Sequence, residues 1–211
     1  DGAEACEVAD ASAGLPEQVT LQGELEAGAG SPPGRVYRAV LIRPGEWLGK
    51  GIRCAPEVLQ AAAAKFDGLA SFLNPPGPLP GQHGYPGLER LLGVTEHARW
   101  EEEVPAGAGI GAIVADYRLA DTDVARWFRR LVDGWLVERA AGRPVPEIGL
   151  SAVPWVRLGP AGADGLRDVT EIVRVDQVDA VYRPAAGGEF VQVLNANGVE
   201  SWASEVGVPT K

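Results

Sequence analysis

One serine, one loop histidine and a pair of aspartates are the side chains that could carry nucleophilic catalysis in this chain. Ser151 lies in the apolar stretch "EIGLSAV", and His83 lies in "GQHGYPG", among glycine and proline. A serine hydroxyl is a weak nucleophile unless a base takes its proton, and histidine is the usual base because its pKa is near neutrality. Glycine and proline favour a loop, where functional groups are often displayed. The alternative is that Ser151 is an ordinary strand residue and His83 a solvated loop residue.

Asp176 and Asp179, in "VRVDQVDAV", could complete such a site by holding the imidazole. A third group must fix the tautomer of a catalytic histidine and stabilise its cation. A carboxylate in an apolar strand is costly to bury unless it is paired, so two of them need a reason. Residues three apart in a strand face opposite sides, and at most one of the two can face a given site. Both could instead lie at strand ends and face water.

The remaining polar groups give no second type of site. His97, in "VTEHARW", is the only other candidate base, and its charged neighbours predict a half-exposed strand residue. Two histidines and two scattered cysteines, Cys6 and Cys54, lack the ligand spacing of a zinc site, so we expect no metal and no cofactor. The cysteines are expected to be unpaired thiols, although one pairing is possible. The stretch "GLSA" also lacks the second glycine of the α/β-hydrolase turn.

The secondary-structure elements that must position these residues are a mixture of helices and strands. Apolar patterning and turn residues predict helices over 55–68 and from a cap at Asp121 or Thr122 to Gly142. Strands are predicted over 35–48 (with a turn at Pro44-Gly45), 69–73, 90–100, 109–120, 147–159 and 167–183, the last as one long strand or a strand pair. This mixture predicts an α+β fold with an antiparallel sheet or barrel.

The second helix carries an apolar stripe at helical spacing, formed by Val124, Trp127, Phe128, Leu131 and Trp135. Such a stripe predicts a buried core face. A cofactor groove or an interface with a partner, including a second copy of the chain, is the alternative.

Charge divides the chain into three predicted regions: a flexible acidic leader over 1–34, a main domain over 35–190 and a C-terminal tail over 191–211. The chain has 211 residues and a net charge of −10, and its first 34 residues hold seven acids and no base. The rest carries the other 22 acids and all 19 bases, which excludes the clustered positive charge of a nucleic-acid or anionic-membrane surface. No apolar run approaches the length of a membrane helix, so we expect a soluble protein.

Five stretches resemble, in this order, the prohead (capsid maturation) protease family of tailed bacteriophages, which shares its fold with herpesvirus assemblin. They are "FDGLASFLNPPGPLPGQHGYPG", "GVTEHARW", the long helix, "IGLSA" and "VDAVYRPAAGG". The resemblance covers roughly residues 36–190, and the last stretch is its most specific part.

The resemblance implies an assemblin-like fold, with an antiparallel barrel-like core and flanking helices, and a serine endopeptidase activity. It implies that Ser151 is the nucleophile, His83 the general base and Asp179 the third member, with Asp176 as the alternative. Arg183 could assist by analogy with the arginines near the site of assemblin.

It further implies that the substrates are phage scaffold and major capsid proteins, and the chain itself, inside a procapsid in the bacterial cytoplasm. Assembly into a homo-oligomer is left open. The other functions considered are a non-catalytic capsid scaffold or binding module on the same fold and an unrelated serine hydrolase of small esters.

Overall fold

The computed structural model describes residues 35–74, 87–104 and 111–194, which form one curled sheet with two α-helices. All of them lie within one unit, Pro33–Lys211. The helices are α1 (Pro56–Ala62), which continues into a 3-10 turn at Ala63–Phe66, and α2 (Asp123–Ala140); a second 3-10 turn is Leu88–Arg90. The strands are β1 (Val36–Ile42), β2 (Gly45–Trp47), β3 (Ile52–Cys54), β4 (Ala70–Leu73), β5 (Leu91–Glu101), β6 (Ala112–Leu119), β7 (Ile148–Ala161), β8 (Arg167–Tyr182) and β9 (Glu189–Leu194).

Strand β8 organises the sheet, whose order is β2-β3-β8-β4-β5-β6-β1-β9 with β7 also paired to β8. β8 is 16 residues long. Its first part runs parallel to β3 and its last part parallel to β4, whereas the other strand pairs are antiparallel. The predicted antiparallel sheet is therefore correct except at the two parallel pairs of β8.

The sheet curls until the chain before β9 meets β7. The Leu150 amide donates a hydrogen bond to the Gly188 carbonyl over 3.2 Å. A Cβ atom added to Gly149 would lie 2.0 Å from the Gly188 oxygen, and one added to Gly188 would lie 2.1 Å from the Leu150 oxygen. Only glycine allows this approach, which we call the β7–Gly188 seam. The predicted mixed α+β class is confirmed, and the curled sheet forms a half-barrel compatible with a barrel-like core.

Phe190 on β9 is the centre of the aromatic core. Its ring makes edge-on contacts with Tyr37, Tyr117 and Phe128, at centroid distances of 5.7, 5.4 and 5.6 Å. These partners belong to β1, β6 and α2. Edge-to-face packing of this kind adds stability beyond the apolar area that it buries.

The ends of α2 are formed as the sequence predicted. The Thr122 hydroxyl accepts a hydrogen bond from the Ala125 amide over 3.1 Å, which makes Thr122 and not Asp121 the N-cap. Gly142 follows the last turn with a φ of 69°, a conformation that favours glycine.

The predicted apolar stripe of α2 is wrong at two positions. The helix buries Ala125, Phe128, Val132 and Trp135, while Trp127 is 47% exposed and Leu131 is 37% exposed. The small side chain of Ala125 lies on the face that packs on the core, so the buried stripe is rotated away from the larger residues Trp127 and Leu131.

β9 is a strand that the sequence analysis did not predict. It pairs with β1 in antiparallel register, with Val36 opposite Leu194 and Val40 opposite Glu189. Its residues Phe190 and Val193 are buried. The predicted domain boundary at 190 therefore falls inside a core strand.

No helix within the described part of the chain is long and apolar enough to cross a membrane.

Candidate functional site

Ser151 and Asp179 lie directly opposite each other in the β7–β8 pair. Opposed residues of an antiparallel pair share one face of the sheet, with Cβ atoms about 4.5–5.5 Å apart. Ser151 is half-buried, whereas Asp179 is fully buried. The structure thus brings together two of the predicted site residues, one at the surface and one beneath it.

A polar cluster surrounds the Asp179 carboxylate. The side-chain amide of Gln177 donates to both of its oxygens, over 3.0 and 2.8 Å. Ser71, the register partner of Val178 on β4, is also buried, and its Oγ accepts a hydrogen bond from the Tyr117 hydroxyl over 2.7 Å. Burial raises the pKa of Tyr117, and the negative charge of Asp179 adds to that rise, so the phenol stays protonated. The Gln177 amide thus holds the Asp179 carboxylate through both of its oxygens.

Asp176 lies on β8 at a surface position. Strand alternation predicted opposite faces for Asp176 and Asp179, but the β7–β8 register shifts between Val175 and Val178, so simple alternation does not apply across this part of the strand. It is exposed, its Oδ2 accepts a hydrogen bond from Trp155 Nε1 over 2.6 Å, and its Oδ1 is 3.1 Å from Arg174 Nε. The Arg174 guanidinium also lies over the Trp155 ring, 4.5 Å from its centroid. These contacts form a surface cluster that does not include Ser151.

His83 lies in the segment 75–86, outside the described residues. The described residues that precede this segment lie next to Asp179. Phe72 on β4 is the register partner of Asp179, and the Asn74 amide donates to the Ala180 carbonyl over 3.2 Å. The chain therefore leaves β4 beside the buried carboxylate, nine residues before His83.

His97, the alternative base, has a surface position on β5. It lies at a register shift between Glu96 and Arg99, with a φ of 55°, and its side chain is 75% exposed. Its Nδ1 is 2.9 Å from Asp116 Oδ2, and this hydrogen bond raises the pKa of His97 above its ordinary value. The polar partner of His97 is thus Asp116 rather than Ser151.

Arg183 is also on the surface. Its Nε lies 3.3 Å from Glu147 Oε2, and its guanidinium is 5.2 Å from the centroid of the Tyr182 ring. The ion-pair partner of Arg183 is therefore Glu147, the residue just before β7.

Ser151 contributes to the wall of a pocket of about 210 Å³, which we call the Ser151 pocket. β7 also contributes residues 152–154 and Val156, and the β2–β3 hairpin, the end of β1 and the chain at 185–186 form the other sides. Its side chains are mostly apolar and include Ile42, Trp47, Ile52, Val156 and Ala186. These residues were not predicted from the sequence, because they meet only through the fold of a short hairpin that carries no catalytic pattern.

Cys54 is a poor rival to Ser151 as a nucleophile. It is a free cysteine, and burial raises the pKa of its thiol to about 12, so the reactive thiolate is scarce at neutral pH. Within the described ranges, no group of three or more His, Cys, Asp or Glu side chains is arranged so that it could hold a metal ion.

Comparisons with known proteins give no match to this chain, whether with protein-family models, with curated proteins or with solved structures. A functional assignment therefore depends on the geometry around Ser151 and on the motifs that position it.

Proposed function

We propose that this protein is a serine endopeptidase of the phage prohead protease type, with an assemblin-like fold. Ser151 is the nucleophile, His83 the general base and Asp179 the third member of the triad. The observation that carries the proposal is the direct opposition of Ser151 to a fully buried Asp179. A buried carboxylate is costly, and orienting a catalytic imidazole gives it a role.

Each residue has one task in the reaction. Ser151 Oγ attacks the peptide carbonyl carbon while His83 takes the hydroxyl proton, and His83 then returns that proton to the leaving amine. Water then attacks the resulting acyl-enzyme while His83 takes its proton, and His83 returns that proton to Ser151 Oγ as the ester bond breaks. Asp179 fixes the imidazole and stabilises its cation. Backbone N–H groups stabilise the oxyanion, a contribution of about 3 kcal/mol for each donor.

The proposed substrates are phage scaffold and capsid-protein segments inside a procapsid, together with the protein's own chain. The motif resemblance supports this substrate class. The β7–Gly188 seam gives a physical reason for glycine in both "IGLSA" and "PAAGG", which bears on the fold of these motifs and not on the substrate.

The test is covalent labelling with a fluorophosphonate, which reacts with activated serines, followed by intact mass. We expect one adduct on the wild type, located at Ser151, and none on Ser151→Ala. His83→Ala should label at least about 100-fold more slowly, because general-base assistance contributes about 10²–10⁴ to rate. His97→Ala is the matched histidine control and should label like the wild type. Equal labelling of Ser151→Ala would refute the assignment of the nucleophile.

A second measurement separates polypeptide cleavage from the other two functions. The intact mass of the wild type is followed over time beside Ser151→Ala, with turnover of a p-nitrophenyl ester measured in parallel. Shortening of the wild type alone supports the endopeptidase. Rapid ester turnover without any shortening would favour a small-ester hydrolase, and the absence of labelling, shortening and ester turnover would favour a binding module.

A further inference from the structure

The Ser151 pocket is apolar and directly adjoins the proposed nucleophile. We propose that it is the specificity subsite of this enzyme, which receives an aliphatic or aromatic side chain of the substrate close to the bond that is cut. This inference rests on the proposed function and adds to it the class of peptide that is recognised.

The walls of the pocket favour an apolar occupant. Ile42, Ile52 and Val156 provide aliphatic surface, and Trp47 provides a ring that is only 5% exposed. The indole Nε1 of Trp47 already donates to the Arg43 carbonyl over 3.2 Å. Since its one polar atom is engaged, Trp47 offers the pocket apolar surface, and burying an apolar side chain against it is favourable.

The volume suits one side chain. The pocket measures about 210 Å³. An engineered protein cavity of about 150 Å³, lined by similar residues, is large enough to bind benzene. A leucine, isoleucine or phenylalanine side chain therefore fits, and the three alanines of the wall, Ala152, Ala185 and Ala186, leave the space open.

The position links the pocket to the reaction. Ser151 and the next three residues of β7 all contribute to the wall. A side chain held there belongs to a residue within a short distance of the carbonyl that Ser151 attacks. Binding energy gained in the pocket can therefore orient the scissile bond.

Charge disfavours a basic occupant. The only charged residue among the described residues of the wall is Lys50, and no carboxylate is present to pair with a lysine or arginine side chain. A cation placed there would lose its hydration without a carboxylate in the described wall to compensate for it.

The pocket is held open by backbone hydrogen bonds. The Leu48 amide donates to the Ala185 carbonyl over 3.0 Å, and the Arg43 amide donates to the Ala186 carbonyl over 2.9 Å. These bonds fix the alanine wall against the β2–β3 hairpin, so the site needs little reorganisation to bind.

The first experiment maps cleavage sites in a defined mixture of peptides by mass spectrometry. For the wild type we expect Leu, Ile, Val or Phe to exceed Lys and Arg by about tenfold or more at one fixed position beside the cut. Ala186→Phe, which fills the pocket, should lose that preference while still cutting at small residues. Ala61→Phe, on an exposed position of α1, is the matched control and should keep it. If Ala186→Phe does not fold, Ala185→Phe serves as the second variant. Cleavage with no apolar preference, or an unchanged preference in a folded pocket variant, would overturn the inference.

The second experiment tests the pocket without catalysis. Ser151→Ala protein with labelled alanine methyl groups is titrated with N-acetyl-leucinamide and, separately, with N-acetyl-lysinamide. We expect the leucine compound alone to shift the methyl signals of Ala152, Ala185 and Ala186, with the Ala61 methyl unchanged. If these signals shift although the wild type cuts no peptide, the proposed function fails and the apolar pocket stands. If the wild type cuts peptides but the methyl signals do not shift, the pocket inference fails and the proposed function stands.

Discussion

Asp179 is the only carboxylate in the described part of the chain that is fully removed from solvent. Leaving such a charge buried costs several kcal/mol unless other groups compensate for it. The Gln177 amide supplies part of that compensation through its two hydrogen bonds. A carboxylate that is buried, held by hydrogen bonds and opposite Ser151 is the arrangement that the proposed triad assigns to Asp179.

Replacing each aspartate by asparagine, which removes the negative charge and keeps the size of the side chain, tests which of the two is the third member of the triad. Asp179→Asn should slow fluorophosphonate labelling of Ser151 by about 10³–10⁴, as the corresponding change does in a serine protease triad, because the imidazole loses its orienting anion. Asp176→Asn should label close to the wild-type rate, since Asp176 is exposed and contacts Trp155 and Arg174 at the surface. The rates are read from intact mass, and urea unfolding checks that both variants are folded. A larger loss in Asp176→Asn would make Asp176 the third member.

His97 should titrate above its ordinary pKa of about 6.5, because its hydrogen bond to Asp116 favours the protonated ring. A raised pKa in the folded state means that the pair adds stability below the ordinary pKa. That stability is lost as the pH rises through the raised value. An NMR titration of the imidazole should show this shift, and Asp116→Asn should remove it, with His97→Gln used to assign the signal.

The same variant tests whether His97 takes part in the chemistry. Asp116→Asn should leave the pH profile of Ser151 labelling unchanged, since the polar partner of His97 is Asp116 and not Ser151. A shift of that profile would indicate that the wrong histidine has been assigned as the base.

At the scale of elements, strong local patterns were sufficient for most predictions. β1 and β4 to β8, together with both helices, lie where apolar patterning and caps predicted them. β9 was missed because its six residues follow a glycine-rich turn and become a core strand only by pairing with β1. The parallel pairing of β8 with β3 and β4 likewise depends on long-range topology, which no local pattern specifies.

The candidate site was predictable to a similar degree. The sequence could show that Asp176 and Asp179 differ in spacing, but not that the register shifts between Val175 and Val178, because that irregularity arises from pairing with β7. Gln177, two residues from Asp179, bonds the carboxylate and was not singled out. Nothing in the sequence links Ser71 with Tyr117, because they come from two strands 46 residues apart. The position of His83 remains a prediction from motif resemblance.

The β7–Gly188 seam gives a prediction in which one chemical change has opposite effects at two glycines. Gly149→Ala should lower the free energy of unfolding by about 1–3 kcal/mol or prevent folding, because its new methyl would collide with the Gly188 oxygen. Gly134→Ala, within α2 and with nothing near the added methyl, should raise it by about 0.5–1 kcal/mol. Urea unfolding of both variants measures the difference. Equal stability of Gly149→Ala and the wild type would mean that the seam is looser than described.

At the scale of the whole molecule, Phe190 joins elements that are far apart in sequence. Its ring contacts β1, β6 and α2, so the last described strand completes a core begun by the first. The core is therefore non-local, and its stability depends on residues close to the predicted boundary at 190.

Phe190→Ala should lower the free energy of unfolding by about 3–5 kcal/mol, as expected when a buried aromatic ring is replaced by a cavity. Trp127→Ala removes a larger ring that is 47% exposed and should cost clearly less. Urea unfolding measures both free energies, fitted with the same dependence of the unfolding free energy on urea concentration. Equal costs would show that Trp127 has a structural role that its exposure does not indicate.

The β7–Gly188 seam also has a consequence for the order in which a ribosome makes the protein. Ser151 and Asp179 are synthesised before Gly188 and Phe190, so a nascent chain holds both residues before the Leu150 amide has its partner and before the core is filled. The serine-bearing strand is completed only when one of the last described segments has emerged. The proposed nucleophile therefore reaches its described surroundings only late in synthesis, and we expect the proposed peptidase to be inactive until residues 188–190 have left the ribosome.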